Sequence, residues 1–379
     1  MNGPPAARRG SLRDALMLRC LPGIGDVRYR LLVRQFGSPG TALENASEQD
    51  LGADALTAVR SGRAERRADA ALKSVRRLGI RVLRDTDPSY PTAVRRAAEG
   101  DVLGNLREPP VMLFARGDLS LLERPWLAVV GTRRMTEYGE SVAHRFASFL
   151  ARRGEVVASG LARGIDGAAH HAVLAVGGKT AAVTGCGVDV VYPPEHADLQ
   201  ERIAERGLLL SGQPPGEPPI KHHFLHRNAI LAALSRAVLV VEAPAGSGAL
   251  STASCVRTLG GTVAAIPGPI GRATSEGTNT LIRDGAIFTI DESDLIVAFG
   301  LRCEPVTPPA APVPHAPAVE GSAGPLWDAL ADESKHIDEL SHAAGLDTPR
   351  TLGLLLEMEL AGAVRQLPGL RFSRVARRH

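Results

Sequence analysis

The sequence has no run of about 18 uncharged apolar residues of the kind that crosses a bilayer. Its first residues, MNGPPAARRG, lack the apolar core and cleavage site of a secretory leader. Neither a membrane partner nor export is expected, and the expected location is the cytoplasm. Cysteine is scarce: Cys20, Cys186, Cys255 and Cys303 are the only four in 379 residues, with no CxxC pair. Such spacing argues against a zinc site or a disulfide framework. Lysine is equally scarce, since Lys73, Lys179, Lys221 and Lys335 stand against 40 arginines. Arginine is the side chain suited to bidentate phosphate contacts and to stacking on bases, although a general preference for arginine gives the same count. Catalytic signatures are missing as well. There is no HExxH, no paired-carboxylate motif, and no Gly-x-Ser-x-Gly elbow around Ser159, Ser211 or Ser247. Asp166 and Glu242 read as capping or solvating acids, so a binding protein without cofactor is the simpler expectation.

What is present is an ordinary globular balance of 44% hydrophobic and 22% charged residues, at a length that suits two or three domains. Charge is uneven along the chain. Residues 1–90 carry 16 Lys+Arg against 10 Asp+Glu, residues 91–300 carry 20 against 21, and residues 301–379 carry 8 against 10. Seven of the 27 prolines fall within residues 304–325, where periodic hydrophobicity stops, which marks an extended linker. The expected division is 1–85, a helical domain; 86–303, an α/β ligand-binding domain; 304–325, the linker; and 326–379, a winged helix.

Between residues 127 and 290, apolar runs at 127–130, 156–158, 180–184, 207–210, 237–241, 262–266 and 286–290 read as strands. Helical patterns intervene at 138–153, 167–176, 194–205 and 251–259. Alternating strands and helices predict an α/β fold with a doubly wound sheet. The N-terminal part reads as short helices, with Leu21-Pro-Gly-Ile-Gly-Asp26 between two of them. Such a hairpin offers backbone amides to a phosphate, as in helix-hairpin-helix modules, or simply uses glycine for a tight turn. After the linker, helices at 324–330, 337–344 and 349–361 and strands at 363–366 and 370–373 predict a winged helix. Its charge is negative until Arg371, Arg374, Arg377 and Arg378, so DNA and protein partners both remain open.

In an open α/β sheet, ligands bind at the carboxyl ends of the strands. Four turns are expected to meet there. Gly131, Thr132, Arg133 and Arg134 precede a helix start, which suits a phosphate. Ser159 and Gly160 lead to Arg163, Gly164 and Asp166. Gly185-Cys-Gly187 forms the third turn, and Gly246, Ser247 and Gly248 the fourth. Each of these glycines also fits a purely structural role between strand and helix. The fourth turn resembles a dinucleotide fingerprint, yet no acid lies between Glu242 and Glu276 to hold a ribose. Gly177-Gly178-Lys179-Thr180 imitates a phosphate loop but runs from helix into strand, so ATP is not expected.

The stretch 219–228 holds Phe224, the only aromatic between Tyr192 and Phe288, flanked by Lys221 and Arg227. A ring between cations suits an unpaired base and its phosphates; a phenylalanine covering the sheet is the structural alternative. His222, His223 and His226 have no cysteine or carboxylate nearby and fit no metal spacing, so no metal is expected.

The segments VVGTRRMTEYG, SGLARGIDGAAH, GCGVDVVYPPEH, FLHRN, LSRAVLVVEAPAGSGALSTA and IPGPIGRATSEGTNTLIRDGA together resemble the bacterial DNA-processing protein A (DprA/Smf) family. The resemblance runs in register over residues 129–295. It implies an extended Rossmann-like domain, an N-terminal helical domain of the SAM or helix-hairpin-helix kind, and a C-terminal winged helix. It further implies a homodimer in the sheet region that binds single-stranded DNA, protects incoming transforming DNA and loads the RecA recombinase during competence, without catalysis. By motif, Arg133 becomes a pocket arginine, and Lys221 and Phe224 contact backbone and base; Arg163, Arg227 and Asn228 line the same face. The chain departs from the family pattern at Gly212, Leu225, Ala229 and Ala249, where an acid, a proline, an arginine and a serine are usual. Two other readings stand beside this one: a nucleotide-processing enzyme of the phosphoribohydrolase kind, which needs a catalytic acid near the fourth turn, and an interaction role for the winged helix.

Overall fold

The computed structural model describes residues 11–98, 109–301, 324–330, 334–360, 363–367 and 369–374. Two compact units divide at Glu304 and Pro305. Apart from its last two positions, the linker at 304–325 lies outside the described residues, as do Cys303, Arg377 and Arg378.

The first unit opens with six helices: α1 (Leu12–Arg19), α2 (Asp26–Phe36), α3 (Pro39–Asn45), α4 (Glu48–Leu51), α5 (Ala53–Arg60) and α6 (Arg63–Arg77). Local sequence sets their starts. The Ser11 hydroxyl accepts from the Asp14 amide, and Ser38 and Ser47 form capping boxes with Thr41 and Asp50. Their apolar faces, including Leu16, Leu18, Leu32, Ala68 and Ala71, share one core with Met112, Phe114, Leu199 and Leu209 of the neighbouring α/β part.

The rest of the unit is β1 (Arg81–Arg84), α7 (Thr92–Ala98), β2 (Met112–Gly117), β3 (Trp126–Val130), α8 (Glu137–Arg152), β4 (Val156–Ser159), α9 (Ile165–Ala175), β5 (Lys179–Thr184), α10 (Ala197–Arg206) and β6 (Leu208–Ser211). It continues with α11 (Lys221–Leu234), β7 (Ser235–Val240), α12 (Gly248–Thr258), β8 (Thr262–Ala265), α13 (Ala273–Arg283), β9 (Ile287–Phe288) and α14 (Glu292–Ala298). The nine strands lie in the order β1-β2-β6-β5-β4-β3-β7-β8-β9. All pairs from β6 to β9 are parallel, whereas β1–β2 and β2–β6 are antiparallel. From β3 the chain steps outward through β4, β5 and β6, then returns to the other flank of β3 with β7, as in a doubly wound Rossmann-like sheet.

Alternation along β3 explains the two layers. Trp126, Ala128 and Val130 face the helices α11 and α12 through Ala229, Leu231, Ala253 and Val256. Leu127 and Val129 face α8 and α9 through Phe146, Leu150, Ala169 and Val173.

Several elements go beyond the sequence prediction, among them α7, α13, α14 and, in the second unit, the strand at Lys335–His336. β1 and β2 are antiparallel additions at one edge, and α11 occupies the histidine-rich stretch. From Arg227 to Ala232 the residues of α11 are buried all round, so the helix has no polar stripe there from which a period can be read.

The second unit packs α15 (Gly324–Ala329), α16 (Ile337–Ala344) and α17 (Thr348–Leu360) with a three-stranded sheet, β10 (Lys335–His336), β12 (Arg371–Arg374) and β11 (Val364–Leu367). Leu326, Leu340, Leu355 and Phe372 form its core. This is a winged helix.

Candidate nucleic-acid interface

A cleft of about 630 Å3 opens beyond the carboxyl ends of β3 and β4. It lies where the strand order reverses about β3, the position at which open α/β sheets bind ligands. Arg133, Lys221 and Phe224 all line it, together with Gly131, Asp166, Tyr192, Arg227, Asn228, Ser247 and Gly248.

The floor is built on a buried ion pair. Arg227, 5% exposed, sits 3.9 Å from the Asp166 carboxylate, itself 6% exposed, and donates to the Val183 carbonyl at 3.2 Å. Asp166 also accepts from the Gly160 amide at 3.1 Å. Burial pushes the Asp166 carboxyl up and the Arg227 guanidinium down, and each partner's charge opposes the other's shift. Gly160 leaves the space that Arg227 fills: a Cβ there collides with the guanidinium. Gly131 likewise admits no side chain, because an added Cβ meets Ile165 Cγ1 at 2.5 Å and the Glu242 carbonyl at 2.8 Å. Glu242 holds the helix start behind it, accepting from the Thr136 amide at 2.9 Å and its hydroxyl at 2.6 Å.

Phe224 forms the apolar wall. Its ring centroid lies 5.5 Å from the Arg133 guanidinium and 5.9 Å from that of Arg227, with the Tyr192 ring tilted against it at 5.6 Å. The third turn supports the ring from behind, since Gly185 abuts Phe224 so closely that a Cβ would stand 2.8 Å from its Cδ1. Tyr192 escaped the sequence reading. Its signal was its place in the VVYPPEH segment after the third turn.

The field at the mouth is positive. The first turns of α11 and α12 carry no acid, so their helix dipoles are uncompensated. Lys221, in the first turn of α11, adds a charge where a cation costs helix stability, an arrangement better suited to an anionic ligand than to the fold. Neither Lys221 nor Arg133 pairs with a carboxylate among the described residues. Among the described residues, the only carboxylate lining the cleft, Asp166, is the one paired with Arg227.

Other candidates lie outside the cleft or are committed to partners within the fold. Ser159 is fully buried, and its hydroxyl donates to the Val129 carbonyl at 2.6 Å, so it braces strands instead of facing a ligand. Thr132 is buried at 7% exposure; its amide donates to the Glu242 carbonyl and its hydroxyl accepts from the Arg134 amide. Arg163 is exposed and points to Glu195, whose carboxyl it holds down to about 2, and it does not line the cleft. Arg134 and Gly246 are exposed outside the lining. Arg227 lines the cleft but is committed to Asp166 and Val183. Asn228 donates to the Gly248 carbonyl at 3.3 Å and ties α11 to the fourth turn. Ser247 caps α12, accepting from the Ala249 amide at 3.3 Å. Of the family departures, Ala229 is wholly buried in the core, so its lost arginine leaves no gap in the cleft wall.

The hairpin Leu21–Asp26 does not offer a phosphate site. Asp26 in the first turn of α2 accepts from Arg19 at 3.3 Å and from the Val111 amide at 3.0 Å, so the dipole of this helix start is compensated by the chain's own acid. Its glycines serve the turn, with Gly23 at φ 72. Among the described residues, no group of three His, Cys, Asp or Glu side chains is placed to hold a metal ion. Burial lowers His223 to about 4 and shifts His226 in the same direction.

A family model described as DNA recombination-mediator protein A matches residues 81–300. The chain belongs to that family. A second model, the DprA winged helix domain, matches residues 308–369. Protein Smf of Escherichia coli is 41% identical over 266 residues, which cover 69% of this chain and 71% of that one. The DNA processing protein DprA of Streptococcus pneumoniae is 43% identical over 197 residues, 52% of this chain and 70% of that one. The solved structure of DNA processing protein A from Streptococcus pneumoniae superposes with a TM-score of 0.59 at 32% identity, covering 76% of this chain and 98% of the other. As a member of the DprA family, the chain is a DNA recombination mediator and not an enzyme. Among its described residues, no helix is long and apolar enough to cross a membrane.

Proposed function

We propose that the protein binds single-stranded DNA in the cleft, protects incoming DNA and loads RecA onto it during natural transformation, as a cytoplasmic homodimer. The observation that carries this reading is the meeting of Arg133, Lys221 and Phe224 in one cleft whose sole carboxylate among the described residues is paired with Arg227. Phosphates of a strand meet the two cations and the acid-free helix starts, and an unpaired base stacks on Phe224. Gly131, Ser247 and Gly248 bring backbone close to the strand. A duplex keeps its bases inside and gains only the charge term. Mobility shifts with single- and double-stranded oligonucleotides at about 50 and 200 mM salt test the reading. Tighter binding of the single strand, weakening steeply with salt, is expected; equal affinity for both forms contradicts it.

The outermost strand, β9, supports a second copy at the sheet edge: Ile287, Phe288 and Ile290 are 38%, 51% and 58% exposed. The winged helix favours a protein partner, because α17 exposes Leu352 and Leu356 beside Glu357. We assign the functional parts to residues 1–85, 86–303, 304–325 and 326–379. RecA loading by the full chain and by a chain ending near Glu304 tests the last of them; equal loading removes that role. The phosphoribohydrolase alternative lacks an available acid in the cleft, and turnover of a nucleoside monophosphate would revive it.

A further inference from the structure

The exposed face of α6 carries charge that the cleft does not use. The helix holds Arg63, Arg66, Arg67, Lys73, Arg76 and Arg77 against Glu65 and Asp69. Asp69 is committed to Arg13, whose Nε and Nη2 donate to it at 2.8 and 3.1 Å and hold its carboxyl below the usual range. Arg67 is committed to Glu217 and to the Cys20 carbonyl. Lys73, Arg76 and Arg77 are exposed and make no salt bridge among the described residues; Arg77 attracts Glu201 only at longer range, and that carboxylate is held by Arg116. With Arg13, Asp69 and Leu72 they line a depression of about 680 Å3.

Two ordinary reasons for a basic helix account for only part of this run. The macrodipole favours cations in the last turn, which covers Arg76 and Arg77, but Arg63 and Arg66 stand in the first turn, where a cation is unfavourable. Side-chain pairing along the helix fails too: Lys73 is four residues from both Asp69, which Arg13 occupies, and Arg77, which repels it. A cluster of mutually repelling cations around an apolar floor suits a polyanion. The start of α6 lies near the cleft, because Arg67 pairs with Glu217, two residues before Pro219 of the cleft lining.

We propose that Lys73, Arg76 and Arg77 form a second binding surface that holds the phosphate backbone of the same single strand as it leaves the cleft. This rests on the single-strand reading above. Among the described residues no aromatic lines the depression, so the surface holds charge alone and reads no base.

The test uses the full chain with Lys73→Ala, Arg76→Ala and Arg77→Ala combined, substitutions that keep helix propensity high. Two oligonucleotides are compared, one of about 6 nucleotides, near the lower end of single-strand site sizes, and one of about 30. The variant should bind the short strand as the parent does. It should bind the long strand at least about tenfold more weakly, with a salt slope shallower by about 2, at roughly 0.7 per lost phosphate contact. Unchanged affinity and slope for the long strand overturn the proposal, as does equal weakening for both lengths. Arg133→Ala, measured alongside, reads the cleft separately: if it leaves the short strand unaffected, the cleft reading falls, whatever α6 does.

Discussion

Two glycine-bearing helix starts in this molecule look alike as phosphate sites, and their fates differ. At α2, Gly25 is followed by Asp26, whose carboxylate in the first turn compensates the helix dipole and ties the helical part to the Val111 amide. At α12, Ser247 and Gly248 open a helix with no acid in its first turn, and beside it α11 begins with Lys221. One start is closed by the chain and becomes a joint; the other pair stays open and faces a cleft. A glycine turn before a helix therefore indicates an anion site only when the first turn lacks its own anion.

Both regions rest on an Arg–Asp pair, and the largest expected effect exploits the difference in their depth. The Asp166 and Arg227 side chains are 8% and 6% exposed, those of Asp26 and Arg19 14% and 12%. Asp166→Asn leaves Arg227 as an uncompensated buried charge and should cost about 3–5 kcal/mol in urea unfolding. A loss under about 1 kcal/mol would mean that the floor is not built on this pair.

Next, Lys221→Glu closes the open start as Asp26 closes α2. Single-strand affinity should fall at least about tenfold, while stability rises by about 0.3–1 kcal/mol because an acid complements the helix dipole. Weaker binding accompanied by lower stability would point to simple misfolding instead. Asp26→Asn makes the converse change. It weakens the charge-assisted bonds to Arg19 and Val111, with an expected cost of about 1–2 kcal/mol and no change in affinity for a short oligonucleotide. A gain in DNA binding would show that the hairpin is a latent phosphate site after all. Smallest is Ser247→Ala, which removes a cap worth about 0.5–1 kcal/mol in thermal or urea unfolding; no measurable change would leave Ser247 free to serve the ligand alone.

How much of this was legible in the sequence depends on the range of the interaction. Parallel strands of the central sheet were readable because each is a short apolar run. The winged helix was readable from amphipathic spacing, and the convergence of three cleft residues from strand-end logic and the family segments. The antiparallel edge was not: RVLR at β1 is too short and too basic to stand out. Nor were the commitments of particular arginines. Arg163 and Arg227 are indistinguishable in a sequence, yet one is drawn to the exposed Glu195 and the other is buried against Asp166, 61 residues away in the chain. Ser159 followed an apolar strand and looked available, but its hydroxyl is spent on the neighbouring strand's Val129 carbonyl. The acid that closes the hairpin was visible as a letter, whereas its partner amide at Val111 lies 85 residues on.

The most direct test is the affinity of the parent, Lys221→Ala and Phe224→Ala for one single-stranded oligonucleotide across a range of salt. Stacking and charge should separate: Phe224→Ala weakens binding by about 1–3 kcal/mol with its salt slope unchanged. Lys221→Ala flattens the slope by about 0.7. If all three proteins bind with the same affinity and slope, the strand does not lie in this cleft.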